Sequence, residues 1–203
     1  MKVLNKVLMC SATLVLLTAC AQKISAEKFQ AKIDALEEHQ YQEATIKYVS
    51  DMVGTGMFED ATEKENYSVK FTWNADSGLW TTEDEEHALD YYYIMNVKGA
   101  KVSDMEERPD EIPEQMDYKV TFYSDFSVVM VVNGSYSGTE EIMGVNAEVE
   151  YKYNKCSEKY KFDKYGYMVL MEEKLDMSTK ASAAGVTMEG TMKGSVKVTV
   201  SYK

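Results

Sequence analysis

From Val186 to Lys203 the chain alternates. Val186, Met188, Met192, Val196, Val198, Val200 and Tyr202 fall on one face, and Thr187, Glu189, Thr191, Lys193, Ser195, Lys197, Thr199 and Ser201 on the other. A period of two over this length predicts an antiparallel strand with one wet face. Tyr67, Val69, Phe71 and Trp73 alternate with polar residues in the same way, as do Val145, Ala147, Val149, Tyr151 and Tyr153. Further strands are predicted at 41–53, 118–123, 126–132, 159–163 and 167–177. Turn-forming residues separate them at Ser124-Asp125, Asn133-Gly134, Asn154-Lys155-Cys156-Ser157 and Asp163-Lys164-Tyr165-Gly166.

Two segments change to a helical period. Over Ala26 to His39, Phe29, Ile33 and Leu36 are spaced four and three apart, and Ser25 is placed as N-cap. Over Glu83 to Lys98, Ala88, Leu89, Tyr92 and Met95 form an apolar face. Thr82-Glu83-Asp84-Glu85 supplies a capping box and Gly99 a stop. Residues 100–117 carry both prolines, Pro109 and Pro113, and are expected to be a solvated acidic loop.

The predicted fold is mainly β, of α+β type. One antiparallel sheet of about seven or eight strands would wrap around two helices as a half-barrel. The last strand, 17 residues at ~3.3 Å each, would be about 55 Å long, too large to leave flat with its apolar face covered by two helices. Gly190 and Gly194 lie on that face, where glycine permits a bend or the close approach of something bulky. Met52, Met130, Met171, Met177, Met188 and Met192 fall on apolar faces too. Methionine suits a cavity for varied apolar ligands, and equally well it fills an irregular core. Both outcomes stay open at this level. If there is a cavity, its candidate lining is Phe29, Ile33, Leu36, Val69, Phe71, Trp73, Met188, Gly190, Met192, Gly194 and Val196.

The N-terminus is of another kind. Two lysines within Met1–Lys6 precede a short apolar run, Val7–Leu17, and then Leu17-Thr18-Ala19-Cys20. The run is about half the ~20 residues needed to span a bilayer. Its layout resembles a bacterial lipoprotein signal with its lipobox. That resemblance implies cleavage after Ala19, a diacylglyceryl thioether on Cys20, and a mature chain anchored to the extracytoplasmic face of the cell membrane. The expected organisation is a signal peptide over 1–19, a lipid-anchored tether over 20–25 and a single β-rich domain over 26–203.

Charge narrows the partners. Without the signal the chain has 20 basic against 34 acidic residues, a net charge of −14. Such a surface repels phosphates, so nucleic acid is not expected. It repels anionic headgroups as well, leaving the acyl anchor to hold the domain at the membrane. A monomer is expected. With Cys10 removed and Cys20 lipidated, only Cys156 remains, which precludes an intramolecular disulfide.

The lipobox, the N-terminal helix and the run of strands ending in a long Met/Gly/Val strand together resemble LolA-type and LppX-type lipoproteins. The stretch Tyr165–Glu173 and the stretch Met188–Gly194 carry the resemblance best. It implies a curved sheet closed by helices, with lipid or lipoprotein acyl chains as ligand. The chain also resembles small lipoproteins of Gram-positive-type bacteria, which imply no activity. Two functions follow as expectations: non-covalent binding of an apolar ligand between sheet and helices, or a surface interaction protein with a filled core.

Enzyme chemistry is not expected. His39 and His87 stand apart, and no phosphate loop, nucleophile elbow or zinc motif is present. No cofactor or metal is expected either. The acidic runs Glu83-Asp84-Glu85-Glu86, Glu106-Glu107 and Asp110-Glu111 lack the spacing of a calcium loop, and a helix N-terminus and solubility account for them.

Overall fold

The computed structural model describes residues 21–84, 86–87, 91, 95, 105–109, 112–142 and 144–203. Residues 1–20, including Cys20, lie outside these, as does most of the helix expected over Glu83 to Lys98. Of that helix, Glu83, Asp84, Glu86, His87, Tyr91 and Met95 are described; the first four are not helical, so no helix begins at Glu83, and Tyr91 and Met95 are helical and buried.

The described residues form one open antiparallel sheet of nine strands, against the seven or eight expected. In chain order they are β1 (Lys23–Ile24), β2 (Glu43–Gly56), β3 (Glu63–Asn74), β4 (Leu79–Thr81), β5 (Asp117–Tyr123), β6 (Ser127–Ile142), β7 (Val145–Phe162), β8 (Met168–Ala183) and β9 (Val186–Tyr202). Across the sheet the order is β1-β5-β6-β7-β8-β9-β2-β3-β4. β5 to β9 run as a meander of hairpins. β9 then pairs with β2, which sets Tyr202 opposite Ala44. The count exceeds expectation because two strands are very short. β1 lies within the segment expected as a tether, and Lys23 and Ile24 pair with Tyr123 and Phe122. β4 pairs with only the last three residues of β3.

One complete α-helix is present among the described residues, α1 (Ala26–Asp34). The Ser25 hydroxyl caps it by accepting from the Lys28 amide at 3.3 Å. It ends five residues before His39, where the helical period had placed its end. Tertiary contacts win over propensity there. His39 stacks on Tyr165 at 4.3 Å, and its carbonyl accepts from the Tyr167 hydroxyl at 2.7 Å. Both contacts hold the segment after α1 against the β7–β8 turn.

The apolar face is covered in two places. Near α1, Phe29 packs with Phe122, Val128, Phe162 and Met168. Beside it, Ala44, Ile46, Val69, Phe71, Trp80, Val198 and Val200 pack with Tyr91 and Met95. A third, smaller cluster of Ala147, Val149 and Ala181 lies toward the hairpin tips.

Two of the expected turns are not turns. Asn133-Gly134 lies inside β6, and Asn154-Lys155-Cys156-Ser157 inside β7. They face each other across the hairpin. β7 carries one residue more than either neighbour there, as the register shifts on both sides record. The extra residue is a bulge centred on Lys155, whose φ of 59° is left-handed. Its amide donates to the Asn133 side-chain carbonyl at 3.1 Å. Residues that would close a turn in isolation here let a long hairpin absorb one surplus residue.

Candidate functional site

The bulge changes which residues share a face. Before it, Ala147, Val149, Tyr151 and Tyr153 point to the apolar side; after it, Cys156, Glu158, Tyr160 and Phe162 do. The shift of parity brings Glu158 inward. In the β7–β8 register Glu158 stands directly opposite Glu173. Two carboxylates therefore meet on the apolar face of the sheet.

A depression of about 170 Å³ opens at this point. Tyr118 of β5, Met130 and Val132 of β6, Tyr153 and Cys156 of β7 and Leu175 of β8 make its apolar floor. Pro109 and Ile112 reach it from the connection before β5, and Glu158 and Glu173 supply its charge. The connection is fixed by Arg108, whose guanidinium donates to the carbonyls of Pro113 (2.7 Å) and Met116 (2.9 Å) and lies 5.6 Å from the centre of the Tyr118 ring.

The two glutamates are held differently. Glu158 accepts from the Tyr160 hydroxyl at 3.0 Å. Burial, and then the negative charge of Glu158, push the Glu173 carboxyl above the usual carboxylate range. Neither residue forms an ion pair among the described residues. The lysines of this stretch, Lys159 and Lys174, stand opposite Glu172 and Ser157 on the other face of the sheet. Glu63 shows the contrast. It accepts from the hydroxyls of Tyr48 and Ser50, and those two bonds hold its carboxyl below the usual range.

Cys156 is buried within β7 rather than exposed in a turn. Its thiol donates to the Asp176 carbonyl at 3.5 Å and its sulfur accepts from the Asp176 amide at 3.3 Å. Burial raises its pKa, so thiolate is scarce at neutral pH and nucleophilic chemistry is disfavoured.

The side chains expected to line one cavity are not brought together. Phe29 and Ile33 belong to the cluster around α1, and Leu36 lies over Gly166. Val69, Phe71 and Trp73 belong to the neighbouring cluster, where Trp73 meets Trp80 edge-on. Met188 is half exposed near the β8–β9 tip, and Met192 and Val196 lie along β9. The room made by Gly190 is taken by the chain itself. A Cβ there would fall 2.5 Å from Met57 and 2.8 Å from the Phe58 ring. At Gly194 the β2 backbone approaches, with Asp51 O only 2.1 Å from where a Cβ would be.

The histidines are both packed. His87 meets the Asp84 carboxylate at 3.0 Å and the Tyr67 ring at 4.2 Å. Among the described residues no group of histidine, cysteine and acidic side chains is arranged to hold a metal ion.

The carboxylate pair also gives a stability prediction. A carboxyl raised in the folded state favours its protonated form there. The cost of ionising it is absent below the ordinary carboxylate range and complete once pH exceeds the raised value. Glu173→Gln is expected to stabilise the protein by about 0.5–1 kcal/mol at pH 7. The gain should vanish below about pH 4, where wild-type glutamate is protonated in both states. Urea midpoints at the two pH values measure this, and a lower midpoint for the variant at pH 7 would mean that a cation already compensates Glu173.

Compared with protein-family models, curated proteins and solved structures, the chain matches none.

Proposed function

We propose that this chain is a lipid-anchored, extracytoplasmic interaction protein with a filled core, acting through its surface and not as a carrier of lipid. One observation carries the choice. Of the residues that would have lined an acyl cavity, Phe29 and Ile33 pack in one cluster and Val69, Phe71 and Trp73 in another, with Phe29, Val69 and Phe71 at 0%, 1% and 3% exposure. The predominantly apolar depression at the β7 bulge is too small for the alternative. Its volume of about 170 Å³ lies below the ~300–1,000 Å³ of small-molecule sites, too little to enclose an acyl chain.

The membrane part of the reading rests on the lipobox and on how the chain enters the sheet. The Gln22 carbonyl accepts from the Ser124 amide at 2.8 Å, and β1 follows at once. Only Ala21 separates Cys20 from that first bond, so the anchor would hold the β5 edge directly at the bilayer. No helix among the described residues is long and apolar enough to cross a membrane. The curved half-barrel belongs to the same proposal, with the sheet bending about α1 and the segment that holds Tyr91 and Met95.

Native mass spectrometry of residues 21–203, freshly purified, tests the choice. The expected result is a bare protein mass that stays bare after incubation with membrane extract. A co-purifying lipid mass, lost on organic extraction, would return the protein to the carrier class.

A further inference from the structure

The depression at the β7 bulge is too small for a lipid and well sized for a side chain. We propose that it is the docking site for a lysine side chain of a partner protein, with the ammonium between Glu158 and Glu173 and the aliphatic stem against Met130, Val132 and Leu175. The proposal rests on the interaction-protein reading and names the chemistry of the partner.

Size comes first. A lysine side chain is a single unbranched row of five heavy atoms. Small-molecule sites run to about 300–1,000 Å³, so 170 Å³ fits one projecting group and not a whole ligand.

Charge comes second. Like charges directly opposite one another on a sheet are destabilising. Here they share the apolar face, and among the described residues no lysine or arginine ion-pairs with either. Arg108, which lies over the Tyr118 ring of the same depression, has its guanidinium committed to two backbone carbonyls. An ammonium from outside would supply the missing charge. It has three donors for carboxylate oxygens, while its stem covers apolar surface. The mature net charge of −14 favours the approach of a basic partner.

The floor is rigid. Tyr118 donates to Met130 sulfur at 3.4 Å, and the Lys155 amide is fixed by Asn133. The bulge that shapes the depression also turns Glu158 into it, so the hollow and its charge arise together.

The probe is n-butylammonium chloride, with n-butanol as its uncharged counterpart of similar size. Each is titrated into the mature lipidated chain in micelles of an uncharged detergent. The ¹³C-methyl signal of Met130 reports the site, and that of Met188, half exposed near the β8–β9 tip, is the internal reference. Saturable movement of Met130 alone is expected, with butylammonium binding at least tenfold more tightly than butanol. In Glu158→Gln/Glu173→Gln the butylammonium affinity should fall at least tenfold and the butanol affinity stay unchanged. That variant removes a repulsion, so loss of folding does not confound it.

Equal binding of both probes, unaffected by the double variant, would overturn the charge recognition. No movement of Met130 with either probe would overturn the site. Tighter binding of phosphoethanolamine than of butylammonium would replace the protein side chain by a lipid headgroup. None of these outcomes alters the mass-spectrometric test of the filled core, so the two readings fail separately.

Discussion

Phe29→Ala is expected to cost about 3–5 kcal/mol of folding stability. Phe29 is fully buried and projects from α1 onto the sheet, with its ring 5.0 Å from that of Phe122. It meets β5, β6, β7 and β8 through Phe122, Val128, Phe162 and Met168. Truncation removes a benzyl group from the point where helix and sheet join, and a nine-residue helix has little stability of its own to close the gap. Domains are stable by about 5–15 kcal/mol, so a large share of the total is at stake. A fall in the urea midpoint with an unchanged slope would register it. Phe29→Leu keeps most of the volume and is expected to cost less than half as much. A loss below 1 kcal/mol for the alanine variant would mean that α1 does not hold the sheet.

The second large effect is one of place. Cys20→Ser is expected to move the protein from the membrane fraction to the soluble fraction. The lipobox reading gives Cys20 two acyl chains at ~0.8 kcal/mol per buried methylene. Nothing in the charge of the chain substitutes for them, since 34 acidic against 20 basic mature residues repel an anionic surface. Fractionation after a high-salt wash measures the change. A variant still bound to membrane would place the attachment elsewhere in the chain. Because serine at position 20 leaves β1 and Ser25 untouched, the soluble form should keep the wild-type urea midpoint.

Strand alternation made most of the sheet legible. The pattern from Val186 to Tyr202 is the observed β9, and those at 67–74 and 145–153 lie within β3 and β7. The connections misled where local chemistry serves two purposes. Asn133-Gly134 and Asn154–Ser157 have the residues of turns, yet facing each other in one hairpin they make a bulge. A signal for this was present. Apolar residues fall at odd positions from 145 to 153 and at even positions for Tyr160 and Phe162, and such a change of parity inside a continuous strand requires one surplus residue. Followed through, it would have placed Glu158 inward. Its partner Glu173 lies 15 residues away in the chain and becomes its neighbour only through the β7–β8 register, which alternation alone does not supply. At Gly190, where the sequence allows either a bend or a close approach, Met57 and Phe58 of the same chain are what approach.

The sheet order has a consequence for what the loss of one strand would do. Within the sheet, strands β2 to β4 form one ribbon and β5 to β8, with β1, another, and β9 joins them. Without Val186–Tyr202, β2 and β8 would each present an open row of amides and carbonyls. The same strand closes both rows, so a copy in which it is displaced carries two edges ready to pair with other chains.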